Sequence, residues 1–247
     1  MRSRYVLLAL LFIAVAVGPA LLRHERGPAA AATPQHAEVP PEALEAMQQG
    51  RYWRASRILR QYLAVVPDTA PETLLLAAQA EAGWHAWPHV ERLLGGESWL
   101  DRVAGGEGWS LLGRSRFEQG QWAASDEAYR RFLAVAVDAG ERERGMAELR
   151  RAITLGKQGK TAEALDTFDA ASRLLPQLGD WIAVYAAEAA ASAGDTAEVT
   201  RRLQTAGATL TRERGWQLRV AALRSVRAHA AAQAVAENAA NTLDRAA

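Results

Sequence analysis

Apolar and small side chains return along this chain in one frame, counted from a glycine. Gly50 is followed by Tyr52, Ala55, Leu59, Tyr62 and Pro67, at offsets +2, +5, +9, +12 and +17. Gly120 is followed by Trp122, Ser125, Tyr129 and Phe132, and Gly159 by Ala164, Phe168, Ala171 and Pro176. Gly194 gives a weaker copy with Leu203 and Ala206, and a degenerate copy starts at Gly83. The glycines lie 33, 37, 39 and 35 residues apart, a period that predicts stacked helix pairs. Each unit reads as helix, tight turn, helix. The glycine takes the left-handed conformation that ends the first helix. The small residue at +5 sits where the second helix crosses the first. Residues at +2 and +9 share one face about two turns apart and pack on the neighbouring helix. Pro67 and Pro176 end their helices.

The spacing resembles the tetratricopeptide repeat. The third unit carries Trp109, Leu112 and Gly113 at −11, −8 and −7 from Gly120, and the next two keep Ala152 and Ala187 at −7. The resemblance covers roughly residues 37–211 and implies an all-α, right-handed solenoid of helical hairpins with an open inner wall, a surface that binds a protein or peptide.

The stretch 74–114 resembles something narrower, the N-terminal helical region of bacterial lytic murein transglycosylases. The cues are Ala-Glu-Ala-Gly-Trp (80–84), Glu-Arg-Leu-Leu (91–94), Trp-Leu-Asp (99–101) and Gly-Glu-Gly-Trp-Ser-Leu-Leu-Gly-Arg (106–114), with Gly-Asp-Trp at 179–181 and Ala-Gly-Asp at 193–195. That resemblance implies a peptidoglycan setting. It does not imply activity: the family's catalytic glutamate–serine and Gly-Leu-Met-Gln motifs are missing, and the one Glu-Ser pair, Glu97-Ser98, lies among the repeats.

The amino terminus has its own pattern. Arg2 and Arg4 precede 18 uncharged residues, 5–22, and Arg23, His24, Glu25 and Arg26 close them. Residues 1–26 thus read as a signal peptide or signal anchor, with the repeats outside the cytoplasmic membrane, released into the periplasm or held to the inner membrane by residues 5–22. Residues 27–41 hold Pro28, Pro34, Pro40 and Pro41 and read as a flexible linker. The repeat domain then occupies 42–247, with Pro41 suited to the first helical turn.

Between units, Ser98 to Asp101 reads as the capped start of a short helix, and Asp195 with Glu198 as a capping box. Residues 211–243 read as one long helix or a last pair with an obscure turn.

Charge removes several function classes. The 29 basic and 28 acidic residues leave a formal charge of +1 and no electrostatic case for nucleic acid. No cysteine is present, so disulfides, thiolate metal sites and a cysteine nucleophile are excluded. No phosphate loop is present, and no cofactor is implied. His85 and His89 are four apart, but Pro88 between them opposes a regular helix and no third ligand is evident, so no metal site is assigned.

The frame also places a groove. First-helix residues at −13, −10, −6 and −3 should face the inner wall: Glu107, Ser110, Arg114 and Phe117; Met146, Leu149, Ile153 and Gly156; Trp181, Val184, Glu188 and Ala191. The lining is largely apolar and suits an amphipathic or extended apolar segment of a partner. Trp53, Trp109 and Trp122 read as packing between helices. Trp84 and Trp87 are the candidates for stacking on a sugar. The expected function is a non-enzymatic interaction scaffold of the cell envelope; the alternative is the helical portion of a peptidoglycan lytic enzyme.

Overall fold

The computed structural model describes residues 38–66, 68–206 and 213–244, which fall within the unit spanning residues 36–247. The candidate signal segment, most of the linker and Pro67 lie outside the described residues. No described helix is long and apolar enough to cross a membrane. The described residues form twelve α-helices and no strand.

They pair in chain order: α1 (Pro41–Gln48) with α2 (Tyr52–Val65), α3 (Pro71–Gly83) with α4 (Trp87–Leu94), α5 (Glu107–Glu118) with α6 (Trp122–Val135), α7 (Glu141–Lys157) with α8 (Thr161–Leu174), α9 (Gly179–Ser192) with α10 (Thr196–Thr205), and α11 (Glu213–Ser225) with α12 (His229–Asp244). First helices also pack on the next first helix, α3 on α5, α5 on α7, α7 on α9 and α9 on α11. Such nearest-neighbour stacking is what makes a repeat array.

Six turns share one hydrogen bond. A residue with positive φ is followed by one whose N–H donates to the carbonyl five residues back: Arg51 to Ala46, Ala86 to Glu81, Gln121 to Arg116, Lys160 to Leu155, Asp195 to Ala190 and Ala228 to Leu223, all at 2.8–3.1 Å. This closes the helix end in a Schellman-type arrangement. The positive-φ residues are Gly50, His85, Gly120, Gly159, Gly194 and Arg227, so the spacing is 35, 35, 39, 35 and 33.

Two of these revise the sequence frame. In the second hairpin the turn falls on His85 (φ 67°), not Gly83, which is the last residue of α3. Counted from His85, Val90 at +5 and Leu94 at +9 are fully buried, as Ala55 and Leu59 are in the first hairpin. The obscure turn of the last stretch is Arg227 (φ 58°). Both positions hide from a glycine search because the tertiary stack holds a non-glycine residue in a costly conformation.

Gly83 is small for another reason. A Cβ there would lie 2.2 Å from Cγ of Tyr52, so it is the seat of the Tyr52 ring. Gly145 plays the same part for Leu175, at 2.6 Å. The small +5 residues Ala55, Ser125 and Ala164 are fully buried, and the Ser125 hydroxyl donates to the Gly113 carbonyl at 2.9 Å.

Other expectations need correction. Residues 98–102 form turns rather than a helix, because Trp99 and Leu100 are buried beside Leu94 and Leu112 and the chain turns on the Trp99 carbonyl. Trp53 does not pack between helices; it is 54% exposed at the start of α2. The Asp195–Glu198 capping box is half formed. Asp195 accepts from the Glu198 N–H at 2.9 Å, but the Glu198 carboxylate turns to Arg201 and Arg202.

Candidate functional site: the wall between the fourth and fifth hairpins

The first helices α7 and α9 lie side by side, and small residues keep them close. A Cβ on Gly156 would stand 3.3 Å from Cβ of Ala189. Beside this contact opens a cavity of about 240 Å³ lined by Ile153, Gly156, Lys157, Phe168, Tyr185, Glu188, Ala189 and Ser192. Phe168 of α8, almost fully buried, closes it on the side of the second helix. Lys157 Nζ and Glu188 Oε1 sit 3.6 Å apart, both about half exposed, a geometry worth about 0–1 kcal/mol. Small-molecule sites run to roughly 300–1,000 Å³. This one suits a single large apolar side chain, with a cation and an anion at its mouth for the flanking backbone.

Of the residues placed by the frame, Ile153, Gly156 and Glu188 meet here. Met146 and Ile153 are partly buried against the cluster of Leu155, Phe168 and Ile182, and Leu149 is within it. Val184 and Ala191 are corrections: both are buried in the cluster that α9 shares with α10, α11 and α12, so neither lines a groove. Trp181 packs partly buried against that cluster. The placement of α11 on α9 buries them, and the repeat frame ends before α11.

The third hairpin contributes separately. Arg114 Nε donates to Glu118 at 2.6 Å and its guanidinium lies 5.3 Å from the Trp87 ring. Phe117 meets Trp122 edge to face at 5.6 Å. Ser110 is half-buried on α5. Glu107 accepts from Gln79 at 2.8 Å and borders a different hollow, with Leu76, Arg102 and Val103. The groove residues therefore divide between the third hairpin and the cavity of the fourth and fifth.

Lys157, Tyr185 and Ser192 escaped the sequence reading. Yet Lys157 and Ser192 both stand at −2 from their glycines and Tyr185 at −9. Extending the frame to those offsets would have found them.

Trp84 and Trp87 are both half-buried, and each has a guanidinium over its ring: Arg60 at 5.6 Å from Trp84 and Arg114 at 5.3 Å from Trp87. His85 adds an edge contact to Trp87 at 5.6 Å. One face of each ring is therefore taken by a guanidinium, and a sugar would stack on what the half-burial leaves open.

The densest polar cluster lies in the second hairpin. Glu81 is 2% exposed and accepts from Ser56 Oγ at 2.8 Å and from Arg60 Nε and a terminal nitrogen at 2.6 and 2.7 Å, with His89 Nδ1 at 3.1 Å. Burial pushes its carboxyl up, but the hydrogen bonds from Arg60, Ser56 and His89 outweigh it and leave the group below the usual range. This is a structural tie between α2, α3 and α4. His85 is exposed on the turn and meets Trp87 edge-on, while His89 faces Glu81, so the two do not converge on a metal. No group of three or more His, Cys, Asp or Glu side chains converges on a point among the described residues.

A second charged tie joins the fourth and fifth hairpins. Arg202, mostly buried, pairs with Asp169 and with Glu198, the latter at 2.6 Å. The Arg201 hydrogen bond, opposed by partial burial and helped by Arg202, takes the Glu198 carboxyl down to about 2. On α6, burial carries the Tyr129 hydroxyl up to about 12.

No protein-family model matches the chain, and no curated protein does. Solved structures do. The chain is similar to MamA of MSR-1, with 18% identity and a TM-score of 0.54, covering 67% of this chain and 90% of that one. Two structures of MamA of AMB-1 give 17% identity and TM-scores of 0.54, covering 67–68% of this chain and 91–92% of theirs. At this identity the likeness is one of fold. The fold is tetratricopeptide-like, an all-helical stack of hairpins.

Proposed function

We propose that this chain is a non-enzymatic helical-repeat scaffold that holds a protein partner along its first helices, with an apolar partner side chain in the cavity between α7 and α9. The observation that carries the reading is that cavity: preformed, apolar inside, bordered by Lys157 and Glu188, and built from equivalent helices of adjacent repeats. The MamA-like fold supports a binding role, since stacked hairpins present extended surfaces. The basic start and apolar run of residues 1–22 support a site outside the cytoplasmic membrane. The likeness of 74–114 to lytic transglycosylases supports a cell-wall setting without their chemistry: Glu97 and Ser98 lie in the connection after α4, beside Asp101 and Trp109.

A photo-crosslinking side chain at Tyr185, compared with one at the exposed Arg173 of α8, tests the groove. The expected result is a defined adduct from Tyr185, lost on Ile153→Asp and absent from Arg173. Equal adducts from both positions would remove the cavity from the function. Location is read separately, by fractionation of the full chain before and after deletion of residues 5–22; release of the wild-type chain with the cytosol would overturn the placement.

A further inference from the structure

The outer face of the first hairpin is unlike the rest of the described surface. Five large apolar side chains are exposed among the described residues, and four of them, Leu44, Tyr52, Trp53 and Val65, belong to α1 and α2. The sequence of α2 contains no acidic residue, and Arg51 precedes Arg54, Arg57 and Arg60. Arg60 is spent on Glu81. Arg51, Arg54 and Arg57 belong to none of the ion pairs among the described residues.

The arrangement is regular. Arg54, Ile58, Gln61 and Val65 fall at i, i+4, i+7 and i+11, one stripe of the helix. Trp53 and Arg57 form the adjacent stripe, with the guanidinium 5.0 Å from the indole centre. Shallow hollows flank Trp53 on both sides, one bordered by Arg51, Tyr52 and Arg54, the other by Glu42, Arg57 and Gln61. Glu42 is the acidic side chain on that border.

We infer that this face docks on an anionic phospholipid surface. Three guanidiniums without an acidic partner among the described residues, one of them over the Trp53 ring, match phosphate, which they bind with paired hydrogen bonds. The Trp53 indole beside them, 54% exposed, belongs at the boundary between headgroup and hydrocarbon. A peptide is held by groups that converge on a cleft. Here the groups stand in rows along the outside of one helix, so their tips can meet a flat charged layer together. The face is distinct from the cavity between α7 and α9, and the inference stands whether or not that cavity binds a partner.

The test uses the full chain in vesicles carrying brominated acyl chains, which quench indole emission at the interface. All eight tryptophans lie at or after position 53, so residues 1–37 contribute none of the signal. Three cations near a charged surface correspond to an about hundredfold preference for it over a neutral one. Quenching in a phosphatidylcholine–phosphatidylglycerol mixture should therefore exceed that in phosphatidylcholine alone, and high salt should abolish the excess. Trp53→Phe should remove the excess. The triple substitution Arg51→Glu, Arg54→Glu, Arg57→Glu should do so with an unchanged urea transition. Equal quenching in both lipids would overturn the inference, as would an excess that survives in Trp53→Phe. Binding of polyglutamate with no lipid-dependent excess would assign the face to an acidic polypeptide and overturn it too.

Discussion

Gly83 should tolerate alanine only when Tyr52 is removed. In the structure it ends α3, and a Cβ would lie 2.2, 2.5 and 2.6 Å from Cγ, Cδ1 and Cδ2 of Tyr52. Those atoms are at the root of the ring, so relief needs a rotation of the whole side chain, which Tyr52, 38% exposed, has room to begin. Overpacking of this kind costs about 1–3 kcal/mol. Alanine in a helix gains about 1 kcal/mol over glycine. Gly83→Ala alone should therefore destabilise by about 0–2 kcal/mol. In a Tyr52→Ala background only the helix gain remains, and the same substitution should stabilise by about 1 kcal/mol. The coupling, about 1–3 kcal/mol, is read from urea transitions of the two singles, the double and the wild type by far-ultraviolet circular dichroism. If Gly83 were instead a left-handed turn residue, alanine would cost about 1–2 kcal/mol with or without Tyr52. A Gly83→Ala penalty that persists in Tyr52→Ala would refute the packing role and return the second turn to Gly83.

Arg227→Gly should stabilise the last hairpin by about 0.5–1 kcal/mol, because it relieves a positive φ at a modest entropic cost; a lowered thermal midpoint would contradict the turn at that position. Glu81→Gln should cost about 1.5–3 kcal/mol, the value of charge-assisted hydrogen bonds lost from a buried acceptor. Because the folded Glu81 carboxyl lies below its unfolded value of about 4.3, its contribution is complete above that pH and fades as pH falls through the folded value. The substitution should therefore flatten the acid limb of the stability curve, and an unchanged limb would show that the cluster does not titrate as described. Asp195→Ala should lose about 1 kcal/mol through the cap to the Glu198 N–H, seen as faster amide exchange in α10 with α2 unaffected.

Much of the fold was legible because its signals are local. Gly50, Gly120, Gly159 and Gly194 mark turns since glycine alone takes positive φ without steric cost, and all four have it. Ala55, Ser125 and Ala164 were legible as crossing points because only small side chains fit there. The second hairpin was misread by two residues, since Gly83 is small for the sake of a ring from another helix. The cavity between α7 and α9 was legible in part. Ile153, Gly156 and Glu188, which the frame groups by offset, line one cavity, whereas Val184 and Ala191 are buried by α11, about which the frame carried no information. Trp53 sits one residue after the +2 position, and nothing local says that the helix turns it outward.

The sequence by itself determined that the chain is a stack of helical hairpins, and where four of its turns fall, because period, turn conformation and helix crossing are each written in residues a few positions apart. Only the tertiary structure decided that His85 and Arg227 complete the set, that α7 and α9 leave a cavity beside Gly156, and that a cationic, aromatic face stands free on α2. Those outcomes depend on which helices meet across tens of residues. A side chain is buried or exposed by its neighbours in space, and the repeat frame names only its neighbours along the chain.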